Sequence, residues 1–232
     1  DAWSSIWCWL RGEAPDPTPN NPLLDTHMAA LVAGMKSADQ QQRLLSLYGL
    51  VALGAAAVDT LLADLLSRAD QGRHDKSAYK LPADTQEGHL GRFFLDGQFT
   101  PEDSAIALSA IGKPAVAALL GLLEHTDPWI RINAAYALGD AGPVVVGEHV
   151  SQMARLLDDP EPSVIRVTLD AFAALGAFDE HAIECMRHFL SGTVPQWGAD
   201  VETEPRLRML GQMRYLSAVA LLSWLSQSAT RL

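Results

Sequence analysis

Asp127-Pro128-Trp129-Ile130-Arg131-Ile132-Asn133-Ala134-Ala135-Tyr136-Ala137-Leu138-Gly139 opens on a cap residue and a proline and closes on glycine. An aspartate carboxylate accepts bonds from the unpaired N–H groups of a first helical turn. A proline at the next position costs nothing there, because its missing N–H would have no partner in the helix. Ile130, Ala134 and Leu138 recur every four residues, the spacing of one helical face. Glycine tolerates the left-handed backbone that ends a helix. The run therefore predicts a helix over 128–138.

The pattern recurs along the chain. Leu53-Gly54, Ile111-Gly112, Leu138-Gly139 and Leu175-Gly176 each end an Ala/Leu-rich periodic segment. After Gly54 stand Val58, Leu61, Leu62 and Leu65; after Gly112, at the same offsets, stand Val116, Leu119, Leu120 and Leu123. Before the last two glycines, Ile130, Asn133, Ala134 and Leu138 correspond to Val167, Asp170, Ala171 and Leu175. Thr100-Pro101-Glu102-Asp103, Pro114, Pro162 and Asp179 add start signals. Helices are predicted near 26–36, 39–53, 56–68, 101–111, 114–125, 128–138, 144–158, 163–175, 180–190 and 205–227, with a bend at Gly211 and no strand.

The run at 127–139 resembles the first helix of a HEAT-like repeat, in the short subtype of phycobilisome-lyase-like proteins. That pattern has Asp-Pro before the helix, an arginine, and an Ala-Leu-Gly end; Arg131 stands eight residues before Gly139, as it requires. The copy ending at Gly176 departs from it, with Arg166 ten residues before the glycine and Thr168 in the matching place. The first two copies lack the Asp-Pro-x-x-Arg element. The resemblance is strong over 101–191, fair over 39–68, and absent over 1–24, 70–99 and 192–232. It implies an all-α fold, an α-α superhelix (a HEAT/armadillo-like solenoid) of about four repeats with helical caps. Residues 25–232 would form that domain, with an insertion at 69–99 and a long loop at 191–204. Residues 1–24 would be a Trp-rich segment and a linker.

Composition agrees with packed helices. Of 232 residues, 48% are apolar and only 7% aromatic, which disfavours both a disordered chain and a β-sandwich. The net charge of −11 argues against a nucleic-acid partner, since phosphate contacts need Lys and Arg. It is unevenly spread. Residues 1–100 carry 8 basic and 12 acidic groups, residues 101–204 carry 5 and 16, and residues 205–232 carry 4 and none. A protein partner with a basic surface is thus expected at the acidic repeats. The basic tail, Arg206, Arg208, Arg214 and Arg231, reads as a solvated helix face. The uncharged run Leu44 to Val58 is too short for a membrane span, which needs ~20 apolar residues. Cys8 and Cys185 make no disulfide framework, Cys185 reads as a small core residue, and a reducing cytoplasmic setting is expected. The first residue is Asp1, which fits a fragment or a processed chain.

No metal, cofactor or catalytic centre is expected. Glu124-His125, Glu148-His149, Glu180-His181 and Glu87 near His89 fall at helix ends and connections. Facing helices would have to project such ligands inward. His125-Thr126-Asp127 has the spacing of an iron triad, completed on paper by His149, His181 or His188, but Asp127 is already explained as a cap. Asp59, Asn133 and Asp170 are expected to bridge neighbouring repeats, and Arg131 and Arg166 to join acidic ladders. Trp129, Asn133, Tyr136, Arg166 and Asp170 are the candidate binding residues on the concave face. His74, Tyr79 and Arg92 in the insertion and Trp197 in the long loop are the candidates outside it. The expected function is a non-catalytic protein-interaction scaffold. The alternative is an accessory domain of an enzyme, either handling a bilin chromophore, as the lyase-like resemblance implies, or following a fused oxygenase. Trp3, Trp7 and Leu10, with Ile6 beside them, weakly resemble the Trp-rich tails of phytanoyl-CoA-dioxygenase-like oxygenases.

Overall fold

The computed structural model describes residues 22–70, 101–192 and 204–229, and no strand occurs among the described residues. The helices are α1 (Pro22–Met35), α2 (Gln40–Leu53), α3 (Val58–Asp70), α4 (Asp103–Ile111), α5 (Lys113–Leu122), α6 (Pro128–Ala141), α7 (Pro143–Val146), α8 (Val150–Ala154), α9 (Pro162–Leu175), α10 (Glu180–Ser191) and α11 (Glu204–Ala229). Turns of 3₁₀ helix at Gly54–Ala57, Gly147–His149 and Arg155–Asp158 link α2 to α3, α7 to α8, and α8 onward. The all-α expectation holds.

The start signals work as the sequence suggests. Asp127 accepts from the Trp129 N–H at 2.9 Å, and Asp179 accepts from Ala182 at 2.8 Å. Asp39 caps α2 through the Gln41 N–H at 2.8 Å. Pro114, Pro128 and Pro162 all lie in first turns. At the other ends, Gly54, Gly112 and Gly176 carry positive φ of 56°, 73° and 60°, where any other residue would strain.

Several boundaries differ from expectation, and α1 starts at Pro22 rather than 26. α4 starts at Asp103 rather than 101, with Glu102 as its cap residue. The single helix expected over 144–158 is broken into α7, α8 and two tighter turns, because Gly147 and polar Glu148-His149 interrupt its apolar face. α5 ends at Leu122. α11 spans Glu204–Ala229, with Gly211 inside it. Gly139 does not end its helix. α6 continues to Ala141, and Gly142 (φ 86°) terminates it. Gly139 instead lets α6 approach α9: a Cβ there would lie 2.5 Å from the Ala171 Cβ and 2.7 Å from its Cα.

Packing follows chain order. α2 touches α4, α4 touches α6, α6 touches α9, and α9 touches α11; α3 touches α5, α5 touches α7, and α8 touches α10. The repeated positions become one core. Val58, Leu61, Leu65, Val116, Leu119 and Leu123 are all buried, as are Ile130, Ala134, Leu138, Val167, Ala171 and Leu175. Near the end of the row, Phe178 stands edge-on to Phe172 at 5.7 Å and meets Trp224 of α11 at 6.3 Å.

Polar ties cross these packings. Asp64, whose side chain is 2% exposed, pairs with Lys36 at 2.6 Å and accepts the Ser104 hydroxyl at 2.5 Å. One carboxylate thereby joins the end of α1, α3 and α4. The expected bridging role for Asp59 is wrong, since Asp59 is exposed. It lies off the face of Val58 and Leu61, whereas Asp64 follows Leu61 by three residues and shares its side of the helix. Gln40–Ser67 taken together is long and apolar enough to cross a membrane by length and composition, unlike the uncharged run within it. In the fold, the positive-φ Gly54 divides it into two helices.

Candidate functional site

Asn133 is fully buried and bridges elements as expected. Its Oδ1 accepts the Glu102 N–H at the start of α4 at 2.9 Å, and its Nδ2 donates to the Trp129 carbonyl at 3.0 Å. With both ends of its amide engaged inside the protein, Asn133 is a structural residue rather than a binding one, because a buried amide must be satisfied locally. Trp129 is half-buried and packs on the core. Arg131 joins the expected acidic ladder. Its Nε and Nη2 donate to the two oxygens of Asp159, both at 2.7 Å, and its Nη1 donates to the carbonyls of His125 and Thr126.

Tyr136, Arg166 and Asp170 are brought together where α6 crosses α9. Tyr136 and Asp140 stand four apart on α6, and Arg166 and Asp170 four apart on α9, so each pair lies on one side of its helix. Asp140 also accepts the Ser109 hydroxyl of α4 at 2.6 Å. Burial raises the Asp170 carboxyl to about 6, although the nearby Arg166 guanidinium pulls it back. Burial and the negative charges of Asp140 and Asp170 push the Tyr136 phenol up to about 12. Burial lowers Arg166, against the opposing pull of Asp170. The cluster holds two carboxylates and one guanidinium; Arg166 and Asp170 have lost water to burial, whereas Asp140 is exposed.

Asp140 and Ser109 were not among the sequence candidates. The signal for Asp140 was its place four residues after Tyr136; Ser109 reaches it only through the packing of α4 on α6. His74, Tyr79, Arg92 and Trp197 lie outside the described residues.

The His/acid pairs at His125 and His149 make local contacts instead. His125 Nδ1 accepts the Asp127 N–H at 3.1 Å and so belongs to the turn before α6. His149 meets Gln152 on the surface. Comparison with protein-family models, with curated proteins and with solved structures finds no match to this chain.

Proposed function

We propose that the chain is an interaction scaffold of the α-solenoid kind, with HEAT-like repeats stacked into a superhelix, and that it holds a basic segment of another protein. The serial packing of α2, α4, α6, α9 and α11, with α3, α5, α7 and α10 alongside, supports the repeat reading. So does the burial of equivalent residues in successive copies. The observation that carries the partner reading is the Tyr136–Asp140–Asp170 cluster. An ammonium or guanidinium group placed there would pair with the exposed Asp140 and offset the charge of the partly buried Asp170. The surrounding charge of residues 101–204, with 5 basic against 16 acidic groups, favours the same sign of partner. Cys185, a free buried thiol, fits a reducing compartment such as the cytoplasm.

The test is calorimetric titration of the full chain with a Lys/Arg-rich peptide and with its Glu-rich counterpart. The basic peptide should bind and the acidic one should not. Asp140→Asn together with Asp170→Asn should weaken binding about tenfold, the scale of one charge pair lost in a partly desolvated site. Affinity should rise with pH as Asp170 ionises through about 6. Equal binding by wild type and the double variant would reject the site.

A further inference from the structure

His181 and Cys185 stand four residues apart on α10, one helical turn, and so project from the same face. Asp158 closes the 3₁₀ turn Arg155–Asp158, which packs against α10. The His181 Nε2 is 2.7 Å from Asp158 Oδ2, the Cys185 Sγ is 3.6 Å from His181 Nε2, and the Cys185 Sγ is 3.9 Å from Asp158 Oδ1. All three donors lie within 4.8 Å of one another, and this is the one such group of three metal-ligating side chains among the described residues.

The separations match a metal's coordination edges. Metal–sulfur, metal–nitrogen and metal–oxygen bonds of about 2.3, 2.0 and 2.0 Å at tetrahedral angles put neighbouring donors about 3.3–3.5 Å apart. The sulfur–imidazole edge, 3.6 Å, needs to close only slightly, whereas the sulfur lies 3.9 Å from Oδ1 and the imidazole meets Oδ2, so the carboxylate must turn to present one oxygen to both. The imidazole–carboxylate edge must open by about half an ångström, between side chains that are 46% and 56% exposed.

The frame is fixed on both sides. The neighbour of Asp158, Asp159, is anchored by Arg131 and accepts the Glu161 N–H at 2.9 Å. α10 is anchored by its Asp179 cap and by burial of Cys185. Asp179 and Glu184 add negative charge around the thiol, and Glu184 is itself shared with Arg187 and His188.

We propose that Asp158, His181 and Cys185 bind one zinc ion through a carboxylate oxygen, Nε2 and Sγ, with the fourth position open to solvent. A mixed sulfur, nitrogen and oxygen donor set suits an ion of borderline softness and disfavours magnesium and calcium, which take oxygen ligands. On binding, the thiol proton leaves to solvent and the imidazole coordinates as the neutral base. In sequence His181 stands beside Glu180, whereas the helix places it beside Cys185, one turn on.

The test is equilibrium dialysis of the reduced full chain against zinc, with metal analysis, and parallel cobalt titration followed by absorption. One zinc per chain is expected, together with a thiolate-to-cobalt charge-transfer band in the near ultraviolet that zinc displaces. His181→Gln and Asp158→Asn change half-exposed side chains and should leave the helical circular dichroism intact. Each should weaken zinc by more than about 100-fold, since even outer-shell partners of a metal ligand are worth 10–100-fold. Cys185→Ala should abolish the band, and Cys8→Ser should leave it unchanged. No stoichiometric zinc in the wild type, or a band that survives in Cys185→Ala, overturns the site.

Discussion

Arg131 joins three parts of the chain through one planar group. Its fork meets both oxygens of Asp159, and a further nitrogen meets two carbonyls of the preceding turn. The pair is largely withdrawn from water, with side chains 12% and 6% exposed. Removing one partner of such a pair leaves the other buried and uncompensated, at a cost of about 3–5 kcal/mol. Arg131→Ala should therefore lower unfolding stability by about 3 kcal/mol in urea, and Arg131→Lys by less, because an ammonium cannot form the two-pronged pair. Asp170 gives a different signature. Its carboxyl is raised from 3.8 to about 6 in the fold, so the native state binds more protons than the unfolded state between those values. Stability from this group is then fully present below pH 4 and lost as pH rises through 6. Asp170→Asn should flatten that downward slope in denaturation measured from pH 4 to 7. The role of Arg131 was legible as an arginine expected to join an acidic ladder, which it does at Asp159. The raised Asp170 was not, because burial depends on which helix covers the residue.

At the scale of elements, caps and glycines were mostly readable and crossings were not. Asp127, Asp179, Gly54, Gly112 and Gly176 act locally, so a single sequence suffices to find them. Gly139 misled because Gly142 follows three residues later, and the choice between two stop signals is made by contact with another helix. Ala171 needs the α6 backbone within Cβ distance, which only glycine allows. Gly139→Ala should cost about 1–3 kcal/mol, the range for overfilling a packed site. Gly121 is the control. It is helical and exposed, and an added Cβ meets nothing within 4 Å. Gly121→Ala should stabilise by up to about 1 kcal/mol through helix propensity. Thermal unfolding of the two variants should shift in opposite directions. The broken 144–158 segment is a further lesson at this scale. Arg155–Asp158 tightens into 3₁₀ geometry and thereby carries Asp158 to His181, a meeting that a continuous helix in the sequence reading did not foretell.

At the scale of the molecule, helices near in the chain pack on one another, and the apolar positions of the sequence periodicity line the core they share. The triple contact of Lys36, Asp64 and Ser104 has a consequence for connectivity. It clamps the helix before residues 71–100 to the helix after them, with Asp64 six residues upstream of Asp70 and Ser104 three downstream of Pro101. The contact ties the two sides of that segment to each other directly. The chain should therefore accept excision: residues 71–100 replaced by a Gly/Ser tether of about ten residues, whose root-mean-square reach is roughly 17 Å. Shortening the loop should itself contribute about 1 kcal/mol by reducing closure entropy. Cooperative unfolding in the shortened chain, lost when Ser104→Ala and Lys36→Ala are combined with the excision, would show that the clamp rather than the covalent link holds the two halves in register.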